Sequence, residues 1–375
     1  MMNIYDWDKV FYVKTSDIKF FCGEAYDIHM PNEILDGNWD CDNLTLIEDV
    51  DVYKGCYEMF VENKKWEDTF LYKEGIERIE KGICQWSCWT KEEFLERENQ
   101  IYKLFNSISE KGIVEQKKLS TIWNPTDKFD DELICYVDRN GGLLFANGFH
   151  RLAIAKILGI EKVPVKIKRR HKEWDSFCES VFSYCVKNWD GFLYQPINHF
   201  EFEDVPSLWS NNRFEIVKYN LDSKEGTVLD IGALWGNMAW NFENIGFDCY
   251  AVENYSEFFP FIEKLKRICN CKFKIIKDSV FNIEKLNYDV VVAFNIFHHF
   301  LKTKETFIQF SMLLPKLKNV KEIFVQLHDH LDKQMVEAYI NFSPKQFAEF
   351  IAINTLHGNY KKIGEEKNRE IYKIW

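Results

Sequence analysis

From Thr227 to the C-terminus, short apolar runs alternate with amphipathic stretches, and this alternation limits the chain more than any other feature. Thr227–Ile231, Cys249–Val252, Phe273–Ile276, Val290–Phe294 and Ile323–Gln326 read as strands. Between them Trp235–Ile245, Ser256–Arg267, Lys304–Leu317 and Pro344–Thr355 read as helices, the last with Ser343 as N-cap and Pro344 at its first position. Val290–Phe294 is almost wholly apolar, as a parallel strand covered on both faces should be. Strands separated by helical crossovers predict a doubly wound α/β sheet. Tyr360–Ile363 and Ile371–Ile374 would close it as a hairpin.

The earlier part follows a different logic. Thr90 followed by Glu93 is a capping box for a helix ended by Gly112, with Phe94, Ile101, Leu104, Phe105 and Ile108 as its stripe. Leu133–Val137 and Leu143–Ala146 flank Asp138-Arg139-Asn140-Gly141-Gly142, a hairpin signal. Asn147-Gly148-Phe149-His150-Arg151 then opens a helix that Gly159 ends, before a Val163–Ile167 strand. The run Lys168–Lys172 reads as a solvated strand end. Residues 176–212 read as irregular, broken by Pro196 and Pro206 and aromatic enough to be packed. The expected organisation is a domain over 1–175, a connector over 176–204 and a second domain over 205–375.

Composition narrows the function classes. With 48 Lys and Arg against 59 Asp and Glu, the net charge of −11 argues against a sequence-independent grip on nucleic acid. An aromatic content of 16% supports buried cores rather than disorder. The 11 cysteines are odd in number and lack paired zinc-type spacings, so they read as reduced thiols. The acidic, aromatic N-terminus is unlike a signal peptide and the longest apolar run is too short to cross a bilayer. The expectation is a cytoplasmic protein.

The chemistry of the second half gathers at strand ends. Val228-Leu229-Asp230-Ile231-Gly232-Ala233-Leu234-Trp235-Gly236 runs from a strand through a glycine-containing turn into a helix. Glu253 ends the next strand, where a carboxylate can accept both hydroxyls of a ribose, and Asp278-Ser279 end the third. On these residues the stretch from about 210 to 375 resembles the class I S-adenosylmethionine-dependent methyltransferases. The resemblance implies Asp230, Gly232 and Gly236 around the methionine part of S-adenosyl-L-methionine, Glu253 on the ribose, and Asp278 with Ser279 near the adenine. Leu234 departs from the family pattern by replacing its middle glycine, and together with Trp235 it speaks against a pyrophosphate-binding dinucleotide loop. After strand four, Asn295, His298 and His299 would face the acceptor, a histidine being suited to take a hydroxyl proton near neutral pH. His328-Asp329-His330 would line the same crevice, and without a third well-spaced ligand no metal is expected.

In the first half, Asn147, Gly148, His150 and Arg151 at a helix start form an anion-site arrangement. Residues 133–170 resemble the ParB/sulfiredoxin-like fold through this box, its Ala-rich helix and the Val163-Pro164-Val165 strand. The kinase-like branch is the nearest match, since Phe149 stands where sulfiredoxins carry their catalytic cysteine. That resemblance implies a nucleotide phosphate on Asn147, Gly148, His150 and Arg151, as ATP with Mg2+. Phosphoryl transfer would also need a carboxylate, with Glu24, Asp36, Asp40 (in Gly37-Asn38-Trp39-Asp40) and Glu48 as candidates.

The combined expectation is a methyltransferase carrying an ATP-binding, kinase-like module that modifies a small-molecule or glycan hydroxyl. The alternative is a methyltransferase whose first domain only binds a nucleotide or partner. A nucleic-acid methyltransferase is disfavoured by the charge and by the absence of an Asn/Asp-Pro-Pro-Tyr motif after strand four. The sequence leaves the oligomeric state open.

Overall fold

The computed structural model describes residues 5–23, 31–86, 88–115 and 132–375. The chain is mixed α/β with two mixed sheets, and it divides into two compact units, Met1–Ser180 and Val181–Trp375.

Unit 1 holds β1 (Val10–Lys14), β2 (Phe20–Phe21), β3 (Glu33–Leu35), β4 (Thr45–Leu46), α1 (Asp51–Phe60), α2 (Phe70–Glu80), α3 (Lys91–Lys111), β5 (Leu133–Val137), β6 (Leu143–Asn147), α4 (Phe149–Ile157) and β7 (Lys162–His171). Its sheet runs β1-β7-β5-β6-β2-β4, with β3 pairing β7. The Thr90–Glu93 capping box that the sequence predicts starts α3, and Phe94, Ile101 and Ile108 form its buried stripe. Gly55 and Gly75 let the helices approach: a Cβ on the first would strike Leu71, and on the second Phe94.

Two expectations for this region fail. Residues 176–189 are not irregular, because α5 (Lys172–Trp189) follows β7 directly. His171 Nδ1 accepts the Glu173 backbone N–H (3.0 Å), doing at the helix start what a Ser or Asp usually does. Trp174, Cys178, Val181 and Cys185 are buried at helical spacing along it. The basic run is not a solvated strand end either, since Arg169, Arg170 and His171 are buried. Arg169 pairs with Glu33 (2.7 Å) and lies over the Trp39 and Tyr136 rings, while Arg170 lies over Tyr5 and Trp7. Cation–π contacts and ion pairs make this burial tolerable.

Unit 2 contains α6 (Asn212–Asn220), β8 (Thr227–Ile231), α7 (Asn237–Asn244), β9 (Asp248–Val252), α8 (Phe259–Ile268), β10 (Lys274–Ile276), β11 (Val290–Phe294), α9 (Lys304–Leu313), β12 (Glu322–Gln326), α10 (Pro344–Asn354), β13 (Tyr360–Glu366) and β14 (Arg369–Ile374). The sheet order is β10-β9-β8-β11-β12-β14-β13. The first five strands are parallel and β14 is antiparallel to both neighbours. In β11, Val290 and Val292 enter one core cluster and Val291 and Ala293 the other, so both faces are covered. Chain order reverses between β8 and β11, which opens a crevice at the carboxyl ends of those strands. The usual dinucleotide-binding order ends 4-5-6 with parallel strands; here the last strand of the chain is inserted antiparallel before its predecessor.

Candidate functional site

Asp230 lies in β8 between Ala251 of β9 and Val292 of β11. Its carboxyl is buried and its Oδ2 has no hydrogen-bond partner. Burial pushes its pKa up to about 7, against the opposing pull of the Ala239 backbone N–H and Arg213.

The turn after β8 is folded onto the end of β9. Gly232 N (2.9 Å) and Ala233 N (3.0 Å) both donate to Val252 O. Gly232 (φ +76°) and Gly236 (φ +85°) are left-handed, as is Leu234 at φ +55°. A Cβ on Gly232 would come within 3.1 Å of Ile296, and one on Gly236 within 2.8 Å of Phe273. Glu253, directly after β9, is buried; its Oε2 accepts Leu234 N and its Oε1 accepts Asn254 N and Tyr255 N, each at 2.9 Å. Burial raises its pKa in spite of these three donors. The backbone N of Glu253 donates to Ile276 O (3.0 Å), so its main chain stands beside the end of β10 while its carboxylate leans onto the turn after β8. Beyond that end, exposed Asp278 accepts Ser279 N and Asn282 Nδ2, both at 2.7 Å, and Ser279 caps the following turn.

The segment before α6 lies against the same turn. Gln195 Nε2 donates to Ala233 O (3.0 Å), Trp235 Nε1 to Gln195 O (3.1 Å) and Asn237 Nδ2 to Pro196 O (3.0 Å). Its packed character agrees with the aromatic composition that the sequence shows.

Sequence reasoning missed Arg213. It is buried on α6, donates from Nη1 to Gln326 Oε1 (3.1 Å), and pairs with Glu366 at 3.6 Å. Burial lowers its pKa to about 10, while Tyr194, Glu366 and Asp230 pull the other way. A helix in front of the first strand of the parallel sheet carries no motif, so nothing in the local pattern marked it.

At the end of β11, Asn295 is left-handed (φ +57°) and buried. Its Oδ1 accepts Arg369 Nη1 (2.8 Å), its Nδ2 has no hydrogen-bond partner, and Arg369 also binds Asp332 (2.8 Å). His298 and His328 are buried, each with an Nδ1 that makes no hydrogen bond, and His299 is exposed beside them. Ring centroids are 4.1 Å apart for His298–His299 and 5.7 Å for His298–His328. Burial, then neighbouring imidazole and guanidinium groups, drives the His298 pKa far below the usual range. His299 is lowered to about 4 by partial desolvation, by Lys302 and by Arg369. Both imidazoles are therefore neutral at pH 7. His330, exposed, pairs with Asp329 instead of joining the ring cluster. Among the described residues no group of three or more His, Cys, Asp or Glu is set to hold a metal.

In unit 1, Asn147, Gly148, His150 and Arg151 line one cavity of about 490 Å³ together with Trp86 and Arg97. Gly148 is left-handed (φ +99°) and precedes α4; a Cβ there would lie 2.5 Å from Leu133 Cδ2. Burial and Arg97 lower the His150 pKa to about 4. The carboxylate candidates do not join this cavity. Asp40 is engaged by Arg139 through side chain and backbone (2.6–3.1 Å), and that ion pair holds its carboxyl at about 2 despite burial. Arg139 follows β5 at the turn of the β5–β6 hairpin, at the opposite end from Asn147, which pairs with Ile134. Glu48 pairs with Lys156 (2.9 Å), Asp36 is exposed near Lys172 (3.5 Å), and Glu24 lies outside the described residues.

No family model and no curated protein matches the chain. Solved structures do. A structure of "the bifunctional kinase-methyltransferase WbdD" is 17% identical with a TM-score of 0.43, over 52% of this chain and 45% of that one. A putative O-methyltransferase from Nostoc punctiforme PCC 73102 is 16% identical with a TM-score of 0.36, over 43% of this chain and 54% of that one. Magnesium protoporphyrin IX methyltransferase from Synechocystis PCC 6803, solved with bound SAM, is 10% identical with a TM-score of 0.33, over 44% of this chain and 75% of that one. The chain spans about half the length of the first solved structures that it matches. Residue roles do not transfer at such identities. No helix among the described residues is long and apolar enough to cross a membrane.

Proposed function

We propose that unit 2 transfers a methyl group from S-adenosyl-L-methionine to a hydroxyl of a small molecule or glycan. The observation that carries this reading is the crevice itself. A buried Asp230 with an unpartnered Oδ2, a left-handed glycine turn and a buried Glu253 meet at the ends of adjacent parallel strands, beside the point where strand order reverses.

The donor set fits. Asp230 Oδ2 offers a buried acceptor to an ammonium group and Arg213 offers a buried cation to a carboxylate, the two ends of an amino-acid head. Gly232 and Gly236 hold the turn in its left-handed course, where a Cβ would meet Ile296 and Phe273. Glu253 would accept the ribose hydroxyls, and Asp278 with Ser279 would stand at the adenine. When bound, the donor supplies a methyl group on a cationic sulfur. The protein then has only to place the acceptor in line and receive its proton. His298 and His299 are unprotonated but weakly basic, so they would receive the proton only as the new oxygen–methyl bond turns the hydroxyl into a strongly acidic oxonium, and Asn295 Nδ2 would orient the acceptor oxygen. Calorimetric titration tests the donor site. Glu253→Ala should bind S-adenosylmethionine about 1–3 kcal/mol more weakly, and unchanged affinity would remove Glu253 from it.

A second reading concerns unit 1, where the shared cavity supports a nucleotide bound as ATP with Mg2+ on Asn147, Gly148, His150 and Arg151. With Asp40, Asp36 and Glu48 engaged or placed elsewhere, the form supported best is a nucleotide-binding module. A kinase that prepares the methyl acceptor is the alternative. Phosphorylated product from ATP and a hydroxyl acceptor would establish the kinase, and ATP binding without product would establish the module.

A further inference from the structure

We infer that Arg97 of α3 completes the unit 1 cavity as a clamp for a phosphorylated organic molecule, which it holds together with Arg151 and the amino end of α4. The inference deepens the nucleotide reading of that cavity and rests on it. It adds residues some 50 positions upstream that no motif connects to the Asn147–Arg151 box.

The cavity, about 490 Å³, has the size of a small-molecule site. Its described lining carries two guanidinium groups and an imidazole, and no Asp or Glu. The remaining surface is largely apolar, from Val52, Ile101 and Leu104. A bare inorganic anion would satisfy the charge and leave the apolar wall wet; an apolar ligand would leave Arg97 Nε and His150 Nε2 without a polar partner. A molecule with a phosphate at one end and an organic body at the other satisfies both.

Arg97 is fixed in place independently of α4. Nη1 donates to Gln100 Oε1 (2.7 Å) and Nη2 to Trp86 O (3.1 Å), which leaves Nε buried without a hydrogen-bond partner. His150 Nε2 is likewise buried and unpartnered. The Trp86 ring meets the His150 ring edge-on, with centroids 4.9 Å apart and planes at 84°. Arg97, Trp86 and His150 thus form one preassembled polar wall with two unused donor or acceptor positions. Arg97 also helps to keep His150 uncharged, its effect second to burial, and an anion between them would favour protonation of His150 and so gain a second cationic donor.

The test is calorimetric titration of the full chain with ATP and with inorganic phosphate, on wild type, Arg97→Ala, Arg97→Lys and Arg151→Ala. Far-ultraviolet circular dichroism and the thermal unfolding of unit 1 serve as the check that each variant is folded. Arg97→Ala should weaken ATP binding about tenfold or more, the loss of one charge-assisted contact, and Arg97→Lys should restore only part of it. Inorganic phosphate should bind far more weakly than ATP. Equal ATP affinity in wild type and Arg97→Ala, with Arg151→Ala impaired, would overturn the role of Arg97 and leave the nucleotide reading standing. Failure of the wild type to bind ATP at millimolar concentration, while it still binds S-adenosylmethionine, would remove the nucleotide reading and this inference with it.

Discussion

Leu234 shows what a single position can hide. In sequence it is the residue that breaks a glycine pattern, yet the backbone there is left-handed (φ +55°), the conformation that a glycine would supply without strain. The side chain is buried, which explains how a leucine is retained. Replacing it loses that burial either way, so the informative comparison is between two truncations. Leu234→Gly should be more stable than Leu234→Ala by about 1 kcal/mol, the reverse of the ordinary order, as urea denaturation would show. Asp230 gives the second prediction. Folding raises its pKa from 3.8 to about 7, so the folded state takes up a proton in that range. The resulting stability is complete below about pH 4 and is lost as pH rises to about 7, with a span on the order of 4 kcal/mol. Asp230→Asn should remove that slope and leave the protein more stable at pH 8 while it binds S-adenosylmethionine poorly. Equal pH dependence in the two proteins would show that Asp230 ionises normally. Of the candidate site residues, Gly232 and Gly236 could be read as a tight turn because such a turn leaves a compositional trace. Arg213 and Arg97 could not be, since their positions depend on which helix the fold lays beside the strand ends or the cavity.

Elements with strong local punctuation were read well, and those held by tertiary contacts were not. Thr90 with Glu93, and Ser343 ahead of Pro344, announce α3 and α10 because capping is a local transaction among a few residues. Thr90→Ala should therefore lower unit 1 stability by about 1 kcal/mol and leave S-adenosylmethionine affinity unchanged, as paired denaturation and titration experiments would show. The helix Lys172–Trp189 escaped because it begins on a histidine cap with no Gly, Pro, Ser or Asp boundary before it. The burial of Arg169 and Arg170 escaped for a related reason: a basic run reads as solvated until the aromatic rings that cover it are in place. The helical glycines carry a prediction of their own. Ordinarily Gly→Ala inside a helix stabilises by about 1 kcal/mol. Gly75→Ala should instead destabilise by about 1–3 kcal/mol, since the added methyl enters the Phe94 ring. A rise in unit 1 melting temperature would contradict the close α2–α3 packing.

At the scale of the whole chain, alternation after Thr227 carried the five parallel strands into view, and the C-terminal hairpin was legible as a hairpin. Its placement was not. Nothing in Arg369–Ile374 says that this strand inserts beside β12 before its predecessor, because strand order is settled by which edges the crossovers leave open. The first unit was legible only from Thr90 onward; β1, β2 and β3 take their place from non-local pairing with β6 and β7, and β4 from pairing with β2. The central claim concerns where the methyl donor binds. Ultraviolet crosslinking of radiolabelled S-adenosylmethionine to the full chain, followed by peptide mapping, addresses it directly. The label should fall on peptides holding Gly232–Gly236 and Glu253–Tyr255 and should be displaced by S-adenosylhomocysteine; label confined to other peptides, or indifferent to the competitor, would contradict a donor site at the ends of β8 and β9.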